Sequence, residues 1–325
     1  MLSRIANTMY WMNRYVERAE NYARFMDVNF NLSLESTPDA IQQWKPLVVI
    51  TGDWDLYESL YETVEKEKVI YFLGFDPQNP NSVYNSIRHA RENARAIRPE
   101  LTKEVWEQIN YLYYFVMEEL EKKSWKENDP RLFFKKVKEG CQLLYGILAI
   151  SISRNDGWHF GKIGQLIERA DKTSRVLDVK YHILLTTPQA VGTPFDLAQW
   201  AALLKSVSAY DMYRKKYGKL TALNISEFLI LDKVFPRSIN FCLIEAEKSL
   251  NAITGNEGGF TNTAEKQLGK LRSQLEFTDV NDIFDSGLHE YIDTFQKRLN
   301  EVSTAIYDSF FANSHQQTSL NIENQ

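Results

Sequence analysis

Residues 15–28 read YVERAENYARFMDV, and much of that pattern returns as LIERADKTSRVLDV at 166–179. With Glu168 placed over Glu17, an offset of 151, Arg18 falls on Arg169, Ala19 on Ala170, Glu20 on Asp171, Arg24 on Arg175, Asp27 on Asp178 and Val28 on Val179. A second block, WKPLVVITGDWDLYESLY at 44–61, lies over WAALLKSVSAYDMYRKKY at 200–217 at an offset of 156. It matches Trp44 with Trp200, Asp55 with Asp211, Tyr57 with Tyr213 and Tyr61 with Tyr217. The third, FLGFDPQNPNSV at 72–83, keeps that offset over FLILDKVFPRSI at 228–239. Matched blocks in the same order constrain a fold more than any single motif, because each copy must build the same unit. The chain therefore reads as one domain over 1–312 made of two duplicated multi-helix halves, about 1–150 and 151–312, related by a pseudo-twofold axis.

Those halves are expected to be all-α. Only 14 glycines and 9 prolines punctuate 325 residues, which favours long helices over the many turns of an all-β chain. Each half opens with a long charged helix, passes through an apolar one, and reaches an Asp-x-x-x-Pro-x-Ser element whose proline suits the first turn of a further helix and whose serine can cap it. The stretch 102–123 has acids early and lysines late, as the helix dipole favours, and 129–153 reads as a mostly apolar, buried helix. NDGW at 155–158 reads as the turn into the second half. The polar tail 313–325 lacks helical periodicity and is expected to be disordered.

At ~100° per residue, Asn13, Arg14, Glu17, Glu20, Asn21 and Arg24 fall within roughly 60° of Glu17 on one stripe. Met12, Tyr15, Val16, Ala19, Ala23 and Met26 fill the opposite, core-facing arc. Glu168, Asp171, Lys172 and Arg175 repeat the stripe in the second copy. As exposed i,i+4 pairs, Glu20 with Arg24 and Asp171 with Arg175 would contribute about 0.2–0.5 kcal/mol each and need no function. If the two helices instead pack on the pseudo-axis, the stripes meet in the interior as a network of acids and arginines, an arrangement kept for specificity or for a ligand. Two further features stand outside the stripe. Arg91, Glu92 and Arg95, in ARENAR at 90–95, either hold a phosphate or carboxylate between the arginines or form an ordinary solvated helix face, and the matching AEKSLN does not repeat them. Arg237 falls at a helix start, where an anion is favoured, though the matching position in the first half carries Asn81.

Several chemistries find no footing. A net charge of −5 offers no basic face for nucleic acid. Cys141 and Cys242 sit far apart in apolar runs, as buried thiols rather than a disulfide or metal set. The Glu-x-x-His signature of a carboxylate-bridged metal site is absent; Asp178 and His182 stand i,i+4, but Asn31 occupies the matching place in the first copy. No nucleophile elbow, Walker loop or dinucleotide fingerprint can be placed, so no cofactor is expected. With neither a signal-peptide pattern nor a membrane span, a cytoplasmic location is expected.

These stretches, with MLSRIANTMYWMNRYVERAENYARFMDV at the start and ENARAI at 92–97, resemble the alpha-E family, a bacterial all-helical domain named for its Glu-Arg motif. That motif falls on Glu17–Arg18 and Glu168–Arg169, and the family's Ala-Arg-Glu-Asn-Ala-Arg motif on 90–95. Asn13, Gly161–Lys162 and Gln165 depart from a pattern often written with glycine and arginine, which argues against a strictly symmetric anion site. The resemblance implies encoding beside, or fusion to, a circularly permuted ATP-grasp protein and a transglutaminase-like peptidase, in a set that makes or processes an amide-linked peptide. Three readings follow. The chain is a non-catalytic partner or substrate-presenting subunit of such a system, with the Glu/Arg network shaping a site for a peptide or amino acid; or an amide-forming or amide-cleaving enzyme using Glu17 or Glu168 as general base; or a helical scaffold. The first predicts binding without turnover, the second a pocket with a carboxylate of raised pKa, the third a fully paired stripe with no cavity.

Overall fold

The structure is a computed structural model that describes residues 3–32, 40–180, 192–256 and 258–312. Helix makes up 80% of it, and no strand occurs among the described residues. The expected tail at 313–325 and His182 lie outside them.

The first part of the chain supplies α1 (Ser3–Leu32), α2 (Ala40–Thr51), α3 (Trp54–Leu60), α4 (Lys66–Gly74), α5 (Val83–Ala96), α6 (Lys103–Lys122), α7 (Ser124–Glu127) and α8 (Pro130–Ser151). The rest supplies α9 (Asp156–Val179), α10 (Pro194–Ser206), α11 (Tyr210–Lys216), α12 (Ala222–Ile230), α13 (Ile239–Thr254), α14 (Thr263–Glu276), α15 (Val280–Asp285) and α16 (Leu288–Phe310). Helices α1 and α9 pack against each other at the centre. Around them, α5 and α8 flank α1 while α13 and α16 flank α9. The second helix of each part crosses over: α2 lies on α9, and α10 lies on α1. One continuous apolar core runs through all of these elements.

Local chemistry recurs along the chain. Ser82 accepts from the Asn85 amide to cap α5, and Ser238 accepts from the Phe241 amide to cap α13. Pro80 and Pro236 precede these caps instead of occupying the first helical turn, so their role is to shape the turn before the helix. The Tyr57 hydroxyl donates to the Thr63 carbonyl at 3.0 Å and Tyr213 to that of Lys219 at 2.6 Å, each tyrosine stacking on the next, Tyr61 or Tyr217, at 5.0 Å. Gly52 (φ 83°) and Ser208 (φ 52°) end α2 and α10 in the same left-handed conformation.

Two further sequence expectations change. Asn155 caps α9 through the Trp158 amide, so Asp156–Trp158 already belong to the helix and not to a turn. Helix α8 is buried only along one side. Leu143 and Ile150 are exposed, because α6 and α1 cover the opposite side.

The crossing of α1 and α9 is close. A Cβ at Gly164 would stand 2.3 Å from the Tyr10 carbonyl oxygen, and one at Gly161 would stand 2.5 Å from Asn13 Nδ2. Glycines on α9 thus let Tyr10 and Asn13 of α1 seat directly on the helix backbone, which brings the polar stripes within ion-pair reach.

Candidate functional site

The stripes meet face to face. Glu17, fully buried, receives Arg169 of α9 as a two-pronged pair, Nε to Oε1 at 2.9 Å and Nη2 to Oε2 at 2.8 Å. Glu168, 1% exposed, receives Arg18 of α1 in the same way, Nε to Oε1 at 2.7 Å and Nη2 to Oε2 at 3.1 Å. Each Glu-Arg pair therefore exchanges its arginine with the other helix. Bidentate guanidinium–carboxylate pairs fix both distance and orientation, so the exchange also sets the register of the two helices.

Beyond this exchange the two sides differ. On the Glu17 side, Arg237 from the start of α13 inserts between the acids, Nη1 to Glu17 Oε1 at 3.1 Å and Nη2 to Glu20 Oε2 at 2.6 Å. Arg24 closes the same side through Glu20 Oε1 and Ser208 Oγ. On the Glu168 side, the residue 156 positions before Arg237 is Asn81. Arg18 Nη1 donates to its Oδ1 at 2.7 Å, and its Nδ2 donates to Asp53 Oδ1 at 2.6 Å. Arg14 donates to Glu168 Oε2 at 3.0 Å, and Asp171 pairs with Arg175 Nε at 2.9 Å. Asparagine is shorter than arginine, and Gly52 stands where the other side has Ser208. The result is a polar cleft of about 200 Å³ bordered by Arg14, Arg18, Asn81, Asp53, Lys172 and Arg175.

Of the two i,i+4 pairs, Glu20–Arg24 is buried, with the Glu20 side chain fully buried and that of Arg24 7% exposed, and Asp171–Arg175 is half-buried, so neither is the solvated pair that was one of the two alternatives. Burial alone would raise the carboxyls of this core. The charges of Arg169 and Arg237 outweigh it at Glu17, those of Arg18, Lys172 and Arg14 at Glu168, those of Arg237 and Arg24 at Glu20, and those of Lys172 and Arg175 at Asp171. All four acids titrate below the ordinary carboxylate range, and no raised carboxyl of the kind a general base needs is found among them. Burial, with help from the acids, pushes the thiol of Cys141 well up, and burial raises that of Cys242 to about 12, so both stay protonated at neutral pH.

Of the residues expected from sequence, Arg14, Glu17, Arg18, Glu20, Arg24, Glu168, Arg169, Asp171, Arg175 and Arg237 converge on this core. Asp27 and Asp178 do not. They tie α1 to α8 through Lys138 and α9 to α16 through His289 Nδ1, the latter at 2.6 Å. Arg91, Glu92 and Arg95 also lie elsewhere, on α5, where Arg91 reaches α6 through Asn110 Oδ1 at 2.9 Å and the side chains of the other two are exposed. Glu92 pairs with both arginines, at 2.9 and 2.7 Å, and Arg91 lies 4.5 Å from the Tyr113 ring centroid. Asp53 and Gly52 were not anticipated. The TGDW turn after an apolar helical run was the available signal, but its counterpart reads VSAY, so matching identities passes over it. No group of three or more His, Cys, Asp or Glu among the described residues is placed to hold a metal ion. A larger apolar groove of about 620 Å³ between α14 and α16 contains none of these residues.

Comparison with known proteins gives two matches in Mycobacterium tuberculosis and one in Mycobacterium bovis, all uncharacterized proteins 22% identical over 289 residues. The match takes in 84% of this chain and 32% of each relative, so the chain spans about a third of the length of the curated relatives it matches. No solved structure matches. The family Alpha-E, described as a predicted alpha-helical domain with a conserved ER motif, matches residues 1–311. With Glu17–Arg18 and Glu168–Arg169 locked across the central helix pair within that span, the chain belongs to the Alpha-E family.

Proposed function

We propose that this protein is a non-catalytic, ligand-presenting subunit that serves a partner enzyme, and that the halves 1–150 and 151–312 are duplicated copies of one helical unit about a pseudo-twofold axis. The observation that carries the reading is the state of the core. Its acids are held by guanidinium groups and kept ionised, which suits them to binding and removes the raised carboxyl that a base mechanism requires. A scaffold alone would close both sides, yet one side remains an open polar cleft. The caps, stacked tyrosines and left-handed residues that recur along the chain support the duplication.

The partner that the family resemblance implies is a circularly permuted ATP-grasp protein, with a transglutaminase-like peptidase in the same system and an amide-linked peptide as product. Capture of the tagged chain from its native lysate, with mass spectrometry, is expected to recover an ATP-grasp protein, and the isolated chain is expected to bind without turnover. A lysate shown to contain an ATP-grasp protein that yields none on the bait would overturn the assignment.

A further inference from the structure

Two groups at the cleft are only partly engaged by the fold. Asp53 is 7% exposed, and its partners are neutral: Asn81 Nδ2 donates to Oδ1 at 2.6 Å, and the Tyr22 hydroxyl donates to Oδ2 at 2.9 Å. No cation among the described residues forms an ion pair with it. Arg175 is the converse. Only its Nε is engaged, by Asp171, and neither Nη carries a hydrogen bond among the described residues, although Nη1 would come within 2.7 Å of a Cβ at Gly52. On the other side of the core the matching guanidinium, Arg24, has a serine hydroxyl for one Nη and Glu20 for the other. The position matching Asp53 there is Ala209. The residues that break the match between the two sides are thus the ones that leave an anion and a cation open to one cleft.

A buried carboxylate without a countercharge is costly, and the Nη groups of Arg175, whose charge Asp171 already balances through Nε, still have donors to offer, so one ligand can complete both. The volume, about 200 Å³, lies below the 300–1,000 Å³ typical of drug-sized sites, so the ligand is small. We propose that the cleft binds a free α-amino acid as its zwitterion, the ammonium on Asp53 and the carboxylate on the Nη groups of Arg175 with Lys172 beside it. The inference rests on the reading of the chain as a ligand-presenting subunit and names what that subunit holds. A carboxylate between guanidinium ends and an ammonium on a carboxylate are both charge-assisted hydrogen bonds, so blocking either end of the ligand removes one of them.

Calorimetric titration of the whole chain with the proteinogenic amino acids tests it, beside their N-acetyl derivatives, their amides, dipeptides and inorganic phosphate. At least one free amino acid is expected to bind, and its acetylated and amidated forms to bind about tenfold more weakly or worse. Asp53→Asn is expected to cost about tenfold or more in affinity with little change in melting temperature. Asn81→Arg, which gives this side the arginine that fills the other, is expected to abolish binding, and Arg91→Gln to leave it unchanged. Binding by no member of the panel, equal binding of free and blocked forms, tighter binding of dipeptides, or binding of phosphate with the same dependence on Asp53 would each overturn the assignment. Capture of the ATP-grasp partner with no amino acid bound removes this inference alone. Amino-acid binding with no partner captured removes the subunit reading and leaves the ligand in place.

Discussion

Glu17 shows how little of a buried ion pair's value lies in net stabilisation. Its carboxylate is satisfied by Arg169, Arg237 and Asn21, so the wild-type arrangement recovers its desolvation cost through several hydrogen bonds. Removing the charge leaves two buried guanidinium groups facing one acid fewer. Glu17→Gln is expected to destabilise the fold by about 3–5 kcal/mol, measured by urea denaturation at neutral pH. The same residue sets a pH dependence. Its folded pKa lies below the unfolded value, so its contribution is present in full above the ordinary carboxylate pKa of about 4.3 and is lost as pH falls through the folded pKa. Stability of the wild type should therefore hold level from neutrality to about pH 5 and fall in stronger acid, with a shallower fall in Glu17→Gln. An equally steep acid transition in the variant would mean that Glu17 is not a source of it.

At the scale of elements, the contact between α1 and α9 depends on what α9 lacks. Gly164 lies against the Tyr10 carbonyl, and a methyl group there has backbone, not a mobile side chain, in its way. Gly164→Ala is expected to lower stability by about 1–3 kcal/mol or more, visible as a reduced melting temperature. In Gly146→Ala, on the exposed side of α8 with open space at its Cβ, the change should be neutral to slightly stabilising. How much of this was legible follows from the same helices. The stripes could be read because Glu, Arg and acid recur at helical spacing in 15–28 and 166–179, but that they face each other could not, since a charged face of a helix serves equally well in water. The cleft could not be read that way. Gly52 against Ser208 and Asp53 against Ala209 are mismatches, which a search for recurrence discards, and Asn81 against Arg237 is a visible mismatch whose consequence, an open cleft, depends on packing. Nor could spacing show that Arg91 and Arg95 would be occupied by Glu92. That outcome depends on rotamers and on where α6 lies.

The molecule as a whole is held by exchange between its two parts. Helix α2 rests on α9 and α10 on α1, and each central glutamate takes its two-pronged arginine from the other part. Residues 1–152 expressed alone are expected to show helix by circular dichroism without a cooperative thermal transition, and to gain one when mixed with 153–325. A cooperative transition in the first fragment by itself would show that its own contacts suffice. The close seat of Tyr10 and Asn13 on the glycines of α9 carries this further, into the order of events during synthesis. Translation delivers α1 well before Gly161, Gly164 and Arg169 leave the ribosome, so the first helix emerges with an acid that has no counterion and a flank with nothing to lie on. The nascent chain must keep α1 unfinished until α9 has been made, which makes that interval the time when it most needs shelter from other chains.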